Sequence, residues 1–176
     1  VTAGQSISVV DINAGKLTYS PVPEANGTAY ASFTFQVQDD GGTLNGGADL
    51  DPIANTITID VTPSNDAPVA SSSTITVAEE SADTPLGLVA PTDVDGNALT
   101  ITVTGLPSVG TITLADGSAV ANGQVLSAAQ LAGLQFDAPA DLLAATSTSF
   151  TYSVSDGTVT IDAGTTINVA PVNDAP

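Results

Sequence analysis

Apolar residues alternate with threonine and serine in several short segments of the C-terminal half of the chain. Residues 74–77 and 99–103 show this period of two, which predicts half-buried strands. Further strands are predicted at 110–114, 133–137, 150–155 and 165–169, with a tight turn at Asp116-Gly117 and one helical turn at 127–131. Many short strands separated by turn signals predict an all-β, antiparallel sandwich, and they disfavour helical bundles and doubly wound folds.

The chain contains an internal repeat of about 108 residues. The string Asn-Asp-Ala-Pro occurs at 65–68 and again at 173–176, and the segments before the two strings align with each other. The aligned segments are 1–8 with 120–127, 33–39 with 150–156, and 59–61 with 167–169. The first copy carries nine additional residues after Asp39. Because one unit has the size of one sandwich domain, the sequence predicts tandem sandwiches joined by short linkers.

The two copies differ in extent. Residues 67–172 form a complete repeat, residues 173–176 begin the next linker, and residues 1–66 match only the C-terminal part of a repeat. Half a sandwich exposes a sheet edge and one core face, which favours association. We therefore expect either that residues 1–66 come from a longer tandem array, which is the preferred interpretation, or that a strand from a neighbouring molecule completes them.

The residue inventory excludes several functional classes. The chain has no His or Cys, and its only cationic side chain is Lys16. Ser-His or Cys-His nucleophiles, the usual zinc sites and disulfides are therefore excluded. Nucleic acids and anionic membranes are poor partners, and no apolar run reaches the ~20 residues that a membrane-spanning helix needs. Catalysis by paired carboxylates would need an aromatic cleft, and Trp is absent, so we expect no enzyme. The expected role for Phe150 and Tyr152, which share one strand face, is core packing.

The 19 acidic residues produce a formal net charge of -18 and are concentrated in turns. The clusters are Asp39-Asp40, Asn65-Asp66, Glu79-Glu80, Asp93-Val94-Asp95-Gly96-Asn97 and Asp156-Gly157. Hard cations would relieve their mutual repulsion, and calcium binds oxygen ligands. One Asp-x-Asp-Gly-Asn turn supplies too few oxygens for calcium, however, and Asp, Asn and Gly also form turns without a metal. The acidic clusters alone leave both interpretations open.

The same motifs, taken in order, resemble the cadherin repeat. Asn65-Asp66-Ala67-Pro68 is similar to its Asx-rich linker that ends in proline, and residues 93–97 followed by the strand at 99–103 are similar to its Asp-x-Asp loop. Residues 152–157 resemble the strand whose terminal Asp reaches the linker, and Glu79-Glu80 is placed like the early Glu. The whole chain resembles the bacterial cadherin-like tandem repeats of giant surface adhesins, which include type I secreted, repeats-in-toxin-like proteins.

This resemblance implies Ig-like sandwiches with calcium bound between successive repeats. The implied ligands of the junction are Asn65, Asp66, Asp93, Asp95, Asn97 and Asp156. Further implied ligands are Glu79 or Glu80 with Asn173 and Asp174 at the opposite end of the repeat, and Asp39 or Asp40 at the junction before residue 1. The eukaryotic Leu-Asp-Arg-Glu motif has no counterpart, so the resemblance does not fix the number of calcium ions.

The insertion at 41–52 is a separate candidate. It contains Asn45, Asp49 and Asp51 among four glycines, and it matches neither an EF-hand nor the nonapeptide of calcium-binding β-rolls. We slightly prefer a solvated loop here over a further calcium site.

The resemblance also implies a function. The repeats would act as calcium-rigidified spacers that project adhesive modules from the bacterial cell surface in adhesion and biofilm formation, with the neighbouring repeats of the same long chain as partners. Two alternatives stay open. One is a self-assembling extracellular fibre subunit that associates through the half-repeat at 1–66, and the other is a sandwich module that binds a glycan or a protein.

Overall fold

The structure, a computed structural model, describes residues 1–173. The chain divides into two compact units, unit 1 (Val1–Ser64) and unit 2 (Asn65–Pro176). The division lies two residues before the boundary expected from the repeat, so Asn65 and Asp66 group with unit 2. Within the described residues, no helix is long and apolar enough to cross a membrane.

Unit 1 contains one short helix and one two-stranded sheet. Its elements are α1 (Val9–Asn13), β1 (Gly27–Phe35), a 3-10 turn (Leu44–Gly46) and β2 (Asn55–Val61). β1 and β2 pair in antiparallel fashion with Phe33 opposite Ile57, as the aromatic and β-branched residues of both strands favour. All 64 residues of unit 1 are described and none is buried, so this unit has no enclosed core.

Unit 2 is a β-sandwich made of two sheets. Its elements are β3 (Ser73–Ala78), β4 (Thr84–Pro85), β5 (Thr100–Gly105), β6 (Thr111–Thr113), β7 (Val125–Leu126), α2 (Ala128–Ala132), β8 (Gln135–Asp137), β9 (Thr146–Ser155) and β10 (Thr160–Ala170). One sheet has the order β3-β10-β9-β5-β7, and the other has the order β4-β8-β6. The predicted all-β sandwich class is confirmed.

One strand pair departs from the antiparallel arrangement that the sequence suggested. β3 lies parallel to β10, from Ser73 beside Thr165 to Ala78 beside Ala170. The other pairs of this sheet are antiparallel. Parallel strands need a long connection, and the whole of unit 2 between β3 and β10 provides one.

The core of unit 2 lies between the two sheets and consists of the apolar members of the alternating segments. On β9, Phe150 and Tyr152 are fully buried with ring centroids 6.1 Å apart. The Tyr152 hydroxyl donates a hydrogen bond to the Ser71 carbonyl oxygen at 2.6 Å, which satisfies its polar end. Opposite them, Phe136 of β8 is also fully buried. Each such side chain contributes about 1.5–3 kcal/mol by leaving water, so this packing holds the sandwich together.

Local signals in the sequence match the turns of unit 2. The predicted helical turn is α2, and Ser127 caps it by accepting a hydrogen bond from the Gln130 amide. The Asp116-Gly117 turn reverses the chain, with Gly117 at φ 81°. β9 begins at Thr146, four residues before the predicted start, because the Thr and Ser residues at 146–149 carry little apolar signal.

Candidate functional site

The residues of the predicted junction site meet at one end of unit 2. Asn65 and Asp66 precede β3, residues 93–97 form the loop before β5, and Asp156 follows β9. Thr100 pairs with Ser155, which places the start of β5 beside the end of β9 and so brings the loop at 93–97 close to Asp156. Three separate segments therefore bring acidic and amide side chains to the same end of the sandwich.

Asp93 organises its own loop. Its Oδ1 accepts hydrogen bonds from the backbone amides of Asp95 at 2.9 Å and Asn97 at 3.3 Å. Gly96 has φ 74°, a conformation that favours glycine and closes the turn. The other oxygen, Asp93 Oδ2, is buried and has no hydrogen-bond partner within the part of the chain that the structure describes. A buried carboxylate oxygen without a partner is costly unless a cation or a donor binds it.

Asn65 and Asp66, at the start of unit 2, are hydrogen-bonded to this loop and to Asp156. The Asp66 amide donates to Asp95 Oδ2 at 2.8 Å, and carboxylate oxygens of Asp66 and Asp95 lie within 4.8 Å of each other. Asn65 Nδ2 donates to Asp156 Oδ2 at 2.9 Å. Asn97 Nδ2 donates to Asn65 Oδ1 at 3.1 Å. All six predicted junction residues are thus connected directly or through one another, with the amides of the two asparagines set among the carboxylates.

Asp156 is held in its anionic form. The Asn65 side-chain amide, followed by the backbone amides of Val159 and Thr158, lowers the pKa of this carboxyl below its ordinary value. Both backbone amides donate to Asp156 Oδ1 at 2.6 Å. Hydrogen bonds to the charged form favour ionisation, so Asp156 adds a negative charge to this end of unit 2 at neutral pH.

The donor set of this end fits a hard divalent cation. Four carboxylates and two amide oxygens are the ligand types that calcium prefers. Unit 2 itself contains no Lys, Arg or His, and the single cationic side chain of the sequence, Lys16, pairs with Asp11 at 2.6 Å within unit 1. Such a cation, bound next to Asp93 Oδ2, would give this buried oxygen the partner that it lacks among the described residues.

At the opposite end of unit 2, Glu79 makes backbone contacts that the sequence did not indicate. It is 3% exposed; its Oε1 accepts from the Val172 amide at 2.6 Å, and its Oε2 accepts from the Leu142 amide. Glu80 is exposed and has φ 63°, so only one member of this pair is inside. Asn173 follows at the end of the described residues, and the predicted Asp174 lies outside them.

The sequence pattern of a known domain family, described as bacterial Ig domain, matches residues 65–170. The chain belongs to this family. The matched bacterial Ig domain coincides with the sandwich of unit 2 and contains all six predicted junction residues.

No curated protein matches the chain. Among solved structures, an endo-fucoidan hydrolase of glycoside hydrolase family 107 is 27% identical, with a TM-score of 0.38, over 81% of this chain and 19% of the enzyme chain. The chain thus spans about a fifth of the length of that enzyme.

Outside the matched bacterial Ig domain, the predicted acidic residues of unit 1, Asp39, Asp40, Asp49 and Asp51, lie in or directly before the insertion. The Asp39 amide donates to the Asp49 carbonyl oxygen at 2.9 Å, and the Asp51 amide donates to the Val37 carbonyl oxygen at 2.8 Å. These bonds close the base of the loop. Asp49 Oδ1 is buried and has no partner among the described residues, while Asp40 and Asn45 are exposed.

Proposed function

We propose that this chain is part of a calcium-binding spacer in a bacterial surface protein, a role without catalysis. In this proposal cadherin-like repeats of a large extracellular adhesin follow one another, and calcium stiffens the connections between them. The spacer projects adhesive modules from the cell in adhesion and biofilm formation. Membership of the bacterial Ig domain family supports a surface module, and the acidic end of unit 2 supports the calcium dependence.

The single observation that carries the proposal is the unpartnered Asp93 Oδ2, in a loop that is hydrogen-bonded to Asn65 and Asp66. The loop fixes Asp93 through two backbone amides, so this oxygen cannot turn to solvent without breaking them. At the same end of unit 2, carboxylate oxygens of Asp66 and Asp95 lie within 4.8 Å of each other. Bound calcium would supply the positive charge that this set of oxygens lacks.

Asn65 and Asp66 give this end of the domain its mechanical role. They are the first two residues of unit 2 and precede its strands, and hydrogen bonds already join them to Asp156 and Asp95. A cation held by the same side chains would add a second, stronger set of bonds between the linker and the domain. Extracellular modules bind calcium at about 0.1–1 mM, so the linker would be flexible before export and fixed outside the cell.

Calcium titration by calorimetry tests the proposal. In the Asp93→Asn/Asp95→Asn variant of the whole chain we expect calcium affinity to fall about tenfold or more, because two carboxylate charges are lost while the loop keeps its oxygen atoms. Asp116→Asn is the matched control: Asp116 also precedes a turn glycine and accepts bonds from Ser118, yet it belongs to no cluster of the site. Equal affinity in the double variant and the parent chain would remove Asp93 and Asp95 from the site.

Small-angle X-ray scattering of the parent chain separates the structural role from binding alone. We expect chelation of calcium to make the particle more flexible, and calcium to reverse the change. A scattering profile that does not respond to calcium, in a chain that binds calcium, would contradict the spacer mechanism while leaving the binding site in place.

A self-assembling fibre subunit is the second candidate, and the exposed apolar residues of unit 1 favour it. It predicts sedimentation coefficients that increase with protein concentration. The spacer predicts coefficients that do not.

A further inference from the structure

Unit 1 repeats the local structure of the C-terminal half of unit 2. When the two copies of the repeat are aligned, residues that pair between β1 and β2 match residues that pair between β9 and β10. The coinciding pairs are Ala31–Ile59 with Thr148–Ile167, Phe33–Ile57 with Phe150–Thr165, and Phe35–Asn55 with Tyr152–Ala163. The helices coincide as well, since Ser8 caps α1 and Ser127 caps α2 in the same way. The two hairpins therefore present the same face and the same edges.

The matching faces differ in burial: the face of β1 is exposed and that of β9 is buried. Phe33 is 41% exposed and Phe35 is 39% exposed, whereas their counterparts Phe150 and Tyr152 are fully buried. The same contrast holds for other matched residues, namely Ile12 with Leu131, Leu17 with Leu134, Tyr19 with Phe136, and Val37 with Val154. Unit 1 thus displays a set of apolar side chains whose equivalents form a core in unit 2.

Unit 2 shows which strands extend the corresponding sheet at its edges. β3 lies along the outer edge of β10 in parallel, and β5 lies along the outer edge of β9 in antiparallel fashion. Both strands come from residues 67–119, the part of the repeat for which unit 1 has no counterpart. The sheet of unit 1 consists of β1 and β2 alone, so both of its edges offer unpaired backbone groups.

We propose that the β1–β2 sheet of unit 1 is a strand-acceptor surface, and that its occupant is a polypeptide of the type of residues 67–119. The occupant adds a β3-like strand parallel to β2 and a β5-like strand antiparallel to β1. Backbone hydrogen bonds at the two edges give affinity. The apolar residues of the β5-like strand lie beside those of β1, since Val103 and Ile101 pair with Tyr152 and Val154, the counterparts of Phe35 and Val37.

A fusion of the whole chain to its own segment tests this proposal. A second copy of residues 67–119 is placed directly before Val1, and hydrogen exchange of β1 and β2 is measured by mass spectrometry. We expect exchange in both strands to slow by on the order of 100-fold, because edges and core become covered. The matched control is the same fusion with Ile75→Ser, Val77→Ser, Ile101→Ser and Val103→Ser in the added copy only, which we expect to leave exchange as fast as in the parent chain.

Three outcomes would overturn the proposal. One is equal exchange of β1 and β2 in the fusion and in the parent chain. Another is slowing that the control shows equally, since this would be an effect of added length alone. The third is exchange of β1 and β2 that is already slow in the parent chain at low protein concentration, because their edges and apolar face would then be covered without an added segment. Unit 2 exchange, measured in the same samples, reports whether the fusion disturbs the complete sandwich.

Discussion

The repeat provides a matched pair of core substitutions, Phe150→Ala in unit 2 and Phe33→Ala in unit 1. The two residues have the same type, the same strand position and equivalent partners across the hairpin, but Phe150 is fully buried and Phe33 is 41% exposed. Truncating a fully buried Phe costs about 3–5 kcal/mol in lost burial and cavity formation. Phe33 lies on an open face where no cavity can form, so we expect about 1 kcal/mol or less there.

Hydrogen exchange in the whole chain measures both effects, because it reports the opening free energy of each strand separately. We expect Phe150→Ala to lower the opening free energy of β9 and β10 by about 3–5 kcal/mol, or to abolish protection if unit 2 is less stable than that. Phe150→Leu, expected to cost about 1.5 kcal/mol or less, gives a graded value in that case. A Phe33→Ala effect on β1 and β2 as large as the Phe150→Ala effect on β9 and β10 would refute the reasoning, because it would mean that the face of unit 1 is already covered.

Two further predictions concern single contacts. Gly110→Ala should lower the free energy of unfolding of unit 2 by more than about 1 kcal/mol, because Gly110 has φ 76° and an added Cβ would lie 2.4 Å from Cζ of the buried Phe136. Urea unfolding checks this against Gly117→Ala, which has φ 81° but open space around the new methyl group; an equal loss in both would exclude the Phe136 clash. Asn65→Ala should raise the pKa of Asp156 toward its ordinary value of 3.8, as carboxyl NMR titration would show, since the Asn65 amide is the largest cause of the lowering. Because the pKa of Asp156 is lower in the folded than in the unfolded chain, the contact with Asn65 stabilises the fold above pH 3.8. This contribution is lost as the pH falls through the pKa of the folded chain. The Asn65→Ala variant should lack this part of the pH dependence.

Much of unit 2 was predictable because its signals are local. The alternation at 74–77 and 99–103 marks strands, Asp116-Gly117 marks a turn, and the capping serine marks α2. Each depends on residues only a few positions apart, so a single sequence suffices. The six junction residues were expected from the resemblance to cadherin repeats, which is carried by three short motifs.

The remaining features depend on contacts between distant residues. Whether β3 joins β10 in parallel is decided by the path of the 81 residues between Ala78 and Thr160. The alternation of apolar and polar residues does not indicate the direction, because it is the same when either strand is reversed. The partners of Glu79 are backbone amides, which leave no mark in residue type. Similarly, the motif at 93–97 identifies Asp93 as a candidate, but only the folded loop shows that one of its oxygens is hydrogen-bonded and the other is not.

The parallel pairing of β3 with β10 has a consequence for a domain that is pulled from its two ends. These are the first and last strands of the large sheet, and they are in register over six residue pairs. In parallel neighbours, the chain enters at one end of the pair and leaves at the other, so tension slides the strands along each other. All hydrogen bonds between them are then loaded in shear at the same time. In an antiparallel terminal pair, by contrast, the hydrogen bonds would break one after another. The topology of unit 2 therefore resists stretching along the direction in which a chain of such domains would carry force.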